Sequence, residues 1–386
     1  MIKKISFIKF IFFILFPFLT ANSLDNFSNI KNYKVSETKY KLTEVMTGLD
    51  YPWGMTFIDK NNLLVTQKNG KLLKVNVIDG KSKKISHNIK NIFFKGAAGQ
   101  GGLLDVLHNN GIIYFSYSHY DDENSSLQGL RKGSTAIGKG KLINDRIENF
   151  ENLLVSKPKF NSNLHWGSRL AIKDNHIYAS LGERGMGMIA QDPTKHPGSI
   201  IRINIDGSIP KNNPANQNKN YWLPEIFQIG LRNPQGMTIS PFDENIYFSQ
   251  HGPKGGDNIG IVKFAGNYGW KDIAWGGKEY SGKKIGNVSF KKKYDENLIS
   301  WVPSIGVSQI AFYNGKEFPE WNGDLIGGSL KYNIFFKIRF EDKKIISEEI
   351  ILKNKIGRIR DFELNQQGEI FIITDHKNSS LWKLSR

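Results

Sequence analysis

The sequence predicts an all-β protein, a six-bladed β-propeller with four-stranded antiparallel blades. Three observations predict it. A loose unit of strand, tight turn and more apolar strand recurs six times along the 386 residues. Glycine is abundant, with 38 copies, while Ala-rich or Leu-rich stretches of helical period are few. Hydrophobic residues at 39% and aromatics at 12% provide enough apolar surface for a packed fold.

The first copy is GMTFIDKNNLLVTQKNGKLLKV, from Gly54 to Val75. The second, LLDVLHNNGIIYFSYS, runs from Leu103 to Ser118, and the third, RLAIKDNHIYASLGE, from Arg169 to Glu183, completed by SIIRINIDG. GMTISPFDENIYFSQHG, from Gly236 to Gly252, is the fourth. The fifth opens at Ser308 with SQIAFYNG and continues through DLIGGSL and IFFKIRF, and the last spans Arg358 to Leu384. Asn69-Gly70, Asn110-Gly111, Asn314-Gly315 and Gln367-Gly368 stand between strands, where hairpins need positive φ. Polar inserts at Lys211–Tyr221 and Tyr280–Ser300 fall between units and read as loops. Residues 24–386 therefore form one propeller domain without a linker. Two β-sandwiches would also give alternating strands, but six matching openings favour the ring.

Residues 1–23 carry a different pattern. Lys3, Lys4 and Lys9 precede or punctuate an apolar run from Phe10 to Leu19, which gives way to Thr20-Ala21-Asn22-Ser23. That order is a secretory signal peptide cleaved after Ala21 or Ser23, and it predicts a periplasmic or secreted protein. A transmembrane anchor is the alternative, but the run is shorter than the ~20 residues a spanning helix needs. The mature chain is thus expected not to span a membrane. With no cysteine, the protein forms no disulfide, and any metal must be held by oxygen or imidazole. The net charge of +17 falls to +14 when the three leader lysines leave. Along the chain the lysines are scattered, with no recognition-helix pattern or basic stripe, so no nucleic-acid partner is expected.

The residues just ahead of each first strand carry the chemistry. Gln100 precedes LLDV, His165 precedes RLAI, Arg232 and Asn233 precede GMTI, and Arg358 and Arg360 bracket the start of the last copy. Equivalent blades place these positions on one face, at the mouth of the channel. Arg232, Arg358 and Arg360, with Lys331, make the site strongly cationic, which suits a multiply charged anion. His165, flanked by Trp166 and Gly167, can serve beside such an anion as a neutral general base. The glycine-rich segment from Gln250 to Asp257 offers carbonyl oxygens of the kind that hold hard cations.

HWGSRLA, GLRNPQG, HGPKGGD, GNYGW, GSLKYN and GRIRD occur in the order found in the soluble aldose sugar dehydrogenase and glucose/sorbosone dehydrogenase family. PWGM, GQGGLLDV and DGSIPKNNP extend the likeness across the mature chain. The resemblance implies oxidation of aldose sugars at C1 to the lactone, dependent on pyrroloquinoline quinone (PQQ) and Ca2+. It implies that His165 is the base and that hydride passes to the quinone. It assigns Gln100, Arg232, Asn233, Lys331, Arg358 and Arg360 to the cofactor, and the main-chain oxygens of Gly252 and Pro253 to calcium. It further implies a broad sugar range, an electron acceptor such as a cytochrome or a quinone, and a monomer or weak dimer.

Several positions depart from the family pattern. Gln250 and Asn258 stand where Glu is common, and loss of the carboxylate at Asn258 should weaken a second, structural calcium site shared with Tyr268. Gln67-Lys68 replaces Glu-Arg, and Ser308-Gln309-Ile310 replaces Ser-Gly-Met, which reads as a change in the sugar pocket. None of these departures is expected to touch the base or the cationic ring. Two rival functions fit these residues less well. A non-catalytic propeller binding a partner would be free to lose His165 or the arginines. A calcium-dependent lactonase-type hydrolase would need acidic and amide groups around its metal, whereas the groups gathered here are mostly cations.

Overall fold

The computed structural model describes residues 27–96, 99–121, 131–276, 278–285 and 291–386. The expected signal peptide lies outside them. Six sheets form, each with four antiparallel strands. Blade 1 comprises Pro52–Phe57, Asn62–Gln67, Leu72–Asn76 and Ser82–Ile85; blade 2 comprises Leu103–Asn109, Ile112–Tyr120, Gly133–Ile143 and Arg146–Val155. Blade 3 is Gly167–Lys173, His176–Leu181, Ile200–Asn204 and Ile226–Ile229, and blade 4 is Pro234–Ile239, Ile246–Gln250, Asp257–Ile261 and Ile299–Trp301. Blade 5 holds Val307–Phe312, Leu325–Ser329, Ile334–Glu341 and Lys344–Lys353. Blade 6 takes Ile359–Leu364, Ile370–Thr374 and Ser379–Ser385, and is completed by Lys41–Leu49 from the other end of the chain. That last pairing, Leu384 opposite Leu42 and Leu49 opposite Ser379, closes the ring and leaves no free seam between first and last blades.

Blades 3, 4 and 5 each gain a fifth, two-residue parallel strand that the repeat did not predict: Gly266–Asn267, Phe27–Ser28 and Lys34–Val35. These segments cover outer edges with main chain. Lys211–Tyr221 also departs from a plain loop, because Pro214 at its first helical position starts a single helical turn, Pro214–Gln217. Hairpin chemistry is only partly that of Asn-Gly. Asn110 and Gly111 both take positive φ, but so do Asn144-Asp145, Asp174-Asn175 and Asp342-Lys343. Asn314-Gly315 turns no hairpin. Gly315 is there because a Cβ would lie 2.7 Å from the Cα of Gly368, where blades 5 and 6 approach.

The core lies between blades. Phe335 packs edge-on against Phe362 at 5.0 Å, Tyr247 against Phe312 at 4.8 Å and Phe57 against Phe371 at 5.5 Å, each pair bridging neighbours. A repeated hydroxyl near the end of the second strand adds a polar tie. Thr66, Ser116 and Ser249 each donate to a carbonyl on the next blade's first strand, at Leu104, Ser168 and Ser308. Along the axis, Arg169 donates to Asp105 (3.0 Å), is paired with Asp361 (2.9 Å), and donates to the Gln235 carbonyl (3.0 Å). Asp361 in turn accepts from the Met55 N–H (2.9 Å), so blades 1, 2, 3, 4 and 6 meet in one buried network. Among the described residues, no helix is long and apolar enough to cross a membrane.

Candidate active site

Every blade begins with a β-bulge. The register of the first strand slips at Pro52/Met55, Leu103/Val106, Gly167/Leu170, Pro234/Gly236, Val307/Ile310 and Ile359/Asp361. A bulge twists the strand and re-aims its side chains. Six of them at one end of the ring build a mouth from residues remote in sequence.

Two adjoining cavities open there. The inner one, about 270 Å³, is walled by Trp53, Lys68, Gln100, Gln235, Arg358, Arg360 and Asp375 among others; the outer, about 410 Å³, by His165, Glu183, Arg232, Trp270, Lys271, Glu279 and Tyr280. Gln100, Asn233 and His251 line both. Gln100, His165, Arg232, Asn233, Arg358 and Arg360 are therefore brought together as the repeat predicts. Lys331 stands apart: its ammonium donates to the Ser304 carbonyl at 2.9 Å, and the neighbouring Leu330 takes the wall position.

His165 is buried and adopts a positive φ of 51°, a backbone state kept only where the surroundings enforce it. Its carbonyl comes so close to Gly182 that a Cβ there would lie 2.0 Å away. Its N–H donates to the Gln100 side chain at 2.8 Å. The ring Nδ1 is bonded to the carboxylate of Glu183, which fixes Nδ1–H as donor and leaves the lone pair on Nε2. The second Glu183 oxygen accepts from the Gly187 N–H at 2.5 Å. Burial, helped by Arg232 and Arg184, holds His165 below its ordinary pKa in spite of Glu183, so the ring is neutral at neutral pH. Burial alone would raise Glu183, but His165, the Gly187 N–H and Arg232 keep it ionised. A second histidine, His251, is pushed down to about 3 by burial and by Arg360 and Arg232, with Nε2 spent on the Val307 carbonyl at 2.8 Å.

The inner cavity is cation-rich. Arg360 donates to Asp375 at 2.6 Å, Arg358 lies 3.4 Å from the same oxygen, and Lys68 stands 3.6 Å from the other. One carboxylate thus serves three cations. Burial would raise Asp375, yet Arg360, Lys68 and Arg358 hold it well below the carboxylate range. The buried Nε–H groups of Arg232 and Arg360 find no partner among the described residues. Surplus positive charge with unspent donors fits a polyanionic, carboxylate-bearing ligand.

Lys68 corrects the expectation that no departure touches the ring, since it lies inside it. Gln309 does not reach this mouth. It bridges to the Met237 main chain at 3.1 Å and faces the opposite end of the channel, so its change leaves the walls of this mouth alone.

The Gly252 carbonyl accepts from Arg232 Nη1 at 3.1 Å, and its N–H donates to buried Asp257 at 2.8 Å. Asp257 also takes the N–H of Val307 at 3.0 Å, so the segment is pinned between blades 4 and 5. Among the described residues, no cluster of three or more acidic or histidine side chains is poised for a metal. A hard cation at Gly252 and Pro253 would rely on carbonyl oxygens and on oxygens brought by a ligand. At the second site, Asn258 accepts from Gln250 at 3.1 Å and donates to the Gly256 carbonyl, while the Tyr268 hydroxyl is bonded to the main chain of Ile261. Only about 10 Å³ is left beside them.

The missed residues share a position. Lys68, Glu183, His251 and Asp375 each follow the second strand of a blade closely, and that strand pairs antiparallel with the first. Its end therefore lies at the mouth beside the first strand's beginning.

Comparison with known proteins agrees with this architecture. The Glucose / Sorbosone dehydrogenase family profile matches residues 49–383. Aldose sugar dehydrogenase YliI of Escherichia coli (strain K12) is 32% identical over 348 residues, covering 87% of this chain and 90% of that protein. The crystal structure of the soluble aldose sugar dehydrogenase (Asd) from Escherichia coli, in the apo-form, superposes with a TM-score of 0.82 at 31% identity, over 90% of this chain and 99% of that one. A PQQ-bound aldose sugar dehydrogenase from Streptomyces coelicolor shares the fold, with a TM-score of 0.71 at 19% identity over 90% and 98% of the two chains. The chain belongs to the glucose/sorbosone dehydrogenase family of oxidoreductases.

Proposed function

We propose that the protein is a PQQ- and calcium-dependent aldose dehydrogenase that oxidises the C1 hydroxyl of a cyclic sugar to the lactone, exported to the periplasm or beyond. The observation that carries this reading is the meeting of a neutral histidine base and a surplus of cations across one mouth. Lys68, Arg358 and Arg360 would hold the cofactor's carboxylates in the inner cavity, with Gln100 and Asn233 at the junction and Arg232 reaching in from the outer wall; Lys331 would join them only by leaving the Ser304 carbonyl. The carbonyls of Gly252 and Pro253 would hold calcium. When bound, the quinone supplies the hydride acceptor and calcium the charge that polarises it. His165 Nε2 takes the proton of the C1 hydroxyl, and Glu183 steadies the imidazolium that forms. The proton then leaves to solvent through the outer cavity, and an external acceptor, a cytochrome or a quinone, restores the oxidised site.

Titration of the calcium-loaded protein with PQQ, followed by quinone absorbance, tests the reading. A saturable change at one site per chain is expected, and no change would remove it.

A further inference from the structure

The two cavities differ in electrical balance. In the inner one, Lys68, Arg358 and Arg360 face Asp375 alone. In the outer one, Arg232 and Lys271 are matched by Glu183 and Glu279, with His165 neutral. An anion suits the first and an uncharged ligand the second. Lys271 and Glu279 come from the loop joining the third and fourth strands of blade 4, and their charged atoms lie 2.8 Å apart on the outer wall.

We infer that this pair is a sugar-reading subsite, which engages two neighbouring hydroxyls of an uncharged aldose while His165 addresses C1. The inference rests on the aldose reading above. An ammonium only donates and a carboxylate only accepts, whereas a hydroxyl does both. Two adjacent hydroxyls can thus take Lys271 with one oxygen and Glu279 with the other hydrogen. The placement is tied to the base. The Lys271 stem crosses Gly187, where a Cβ would approach its Cδ to 3.0 Å, and the same Gly187 N–H binds Glu183 at 2.5 Å. Exposed Tyr280 and Leu164 offer apolar surface on the same wall for the C–H face of the ring. The pair is partly exposed, with side chains 38% and 28% accessible, so it contributes little to stability. Its replacement spares the fold.

The test compares wild type, Lys271→Met and Glu279→Gln, each loaded with calcium and PQQ, on glucose, its four monodeoxy analogues (2-, 3-, 4- and 6-deoxy) and glucuronate. Each substitution is expected to raise KM for glucose about tenfold and to leave kcat within about twofold. The wild type should discriminate against two deoxy sugars that lack neighbouring hydroxyls, and each variant should lose at least one of those discriminations. Unchanged KM values, an equal loss on every sugar, or a wild-type preference for glucuronate would each overturn the inference while leaving the dehydrogenase reading intact. A wild type that binds PQQ yet turns over none of the sugars would overturn both.

Discussion

Glu183 accepts a hydrogen bond from Nδ1 of His165, and both groups are buried at the mouth of the channel. This one contact decides which ring nitrogen is free to act. It also fixes the ring's orientation, because the carboxylate is itself held by the Gly187 N–H.

Replacing Glu183 by Gln removes the negative charge beside the imidazolium and leaves the tautomer unfixed. Sugar oxidation by the loaded enzyme should fall about 10²-fold in kcat. PQQ affinity should stay within about twofold, because Glu183 does not line the inner cavity. Steady-state kinetics and an absorbance titration on the same preparation check both halves.

The pH dependence follows from the same pair. His165 is held below its ordinary value, so its neutral form persists into mildly acid solution and protonation removes the base only as pH falls further. The acid limb of kcat/KM should therefore lie below the ordinary histidine value of about 6.5. Glu183 opposes the lowering, so in Glu183→Gln the limb should move to still lower pH. A limb at or above the ordinary value would contradict the assignment.

Arg360 lines the inner cavity, donates to Asp375 and has a buried Nε–H without a partner among the described residues. Arg360→Gln should weaken PQQ about 10- to 100-fold, the range for one charge-assisted hydrogen bond. Arg360→Lys should recover part of that loss, since it restores charge without the planar fork. Titration of each variant by quinone absorbance gives the comparison.

Much of this was legible in the sequence, for geometric reasons. The repeat set the blades, and a search ahead of each first strand found Gln100, His165, Arg232, Asn233, Arg358 and Arg360, because those positions share one end of the ring. The same search could not find Lys68, Glu183, His251 or Asp375, which arrive at that end from the second strand of each hairpin. Hairpin symmetry was the signal, since a site at the start of one strand faces the end of its partner. Turns such as Asp174-Asn175 escaped because they reach positive φ without glycine. The closing strand Lys41–Leu49 was equally hidden, as ring closure pairs the two ends of the chain.

The axial network makes a prediction about stability. Arg169→Met leaves Asp105 and Asp361 buried together without their cation. Breaking a buried pair in this way costs about 3–5 kcal/mol. A denaturant midpoint measured with an unchanged m-value would report it. The deficit should shrink as pH falls, because both carboxyls are already raised by burial and then take up protons.

The most direct test of the central claim is dye reduction with a panel of aldoses. Wild type is assayed as purified, with calcium alone, and with calcium plus PQQ, beside His165→Ala under the same conditions. The account predicts turnover only with both additions and a fall of about 10³-fold in His165→Ala, with PQQ still bound. Turnover that survives loss of His165, or a protein that binds no quinone, would contradict it.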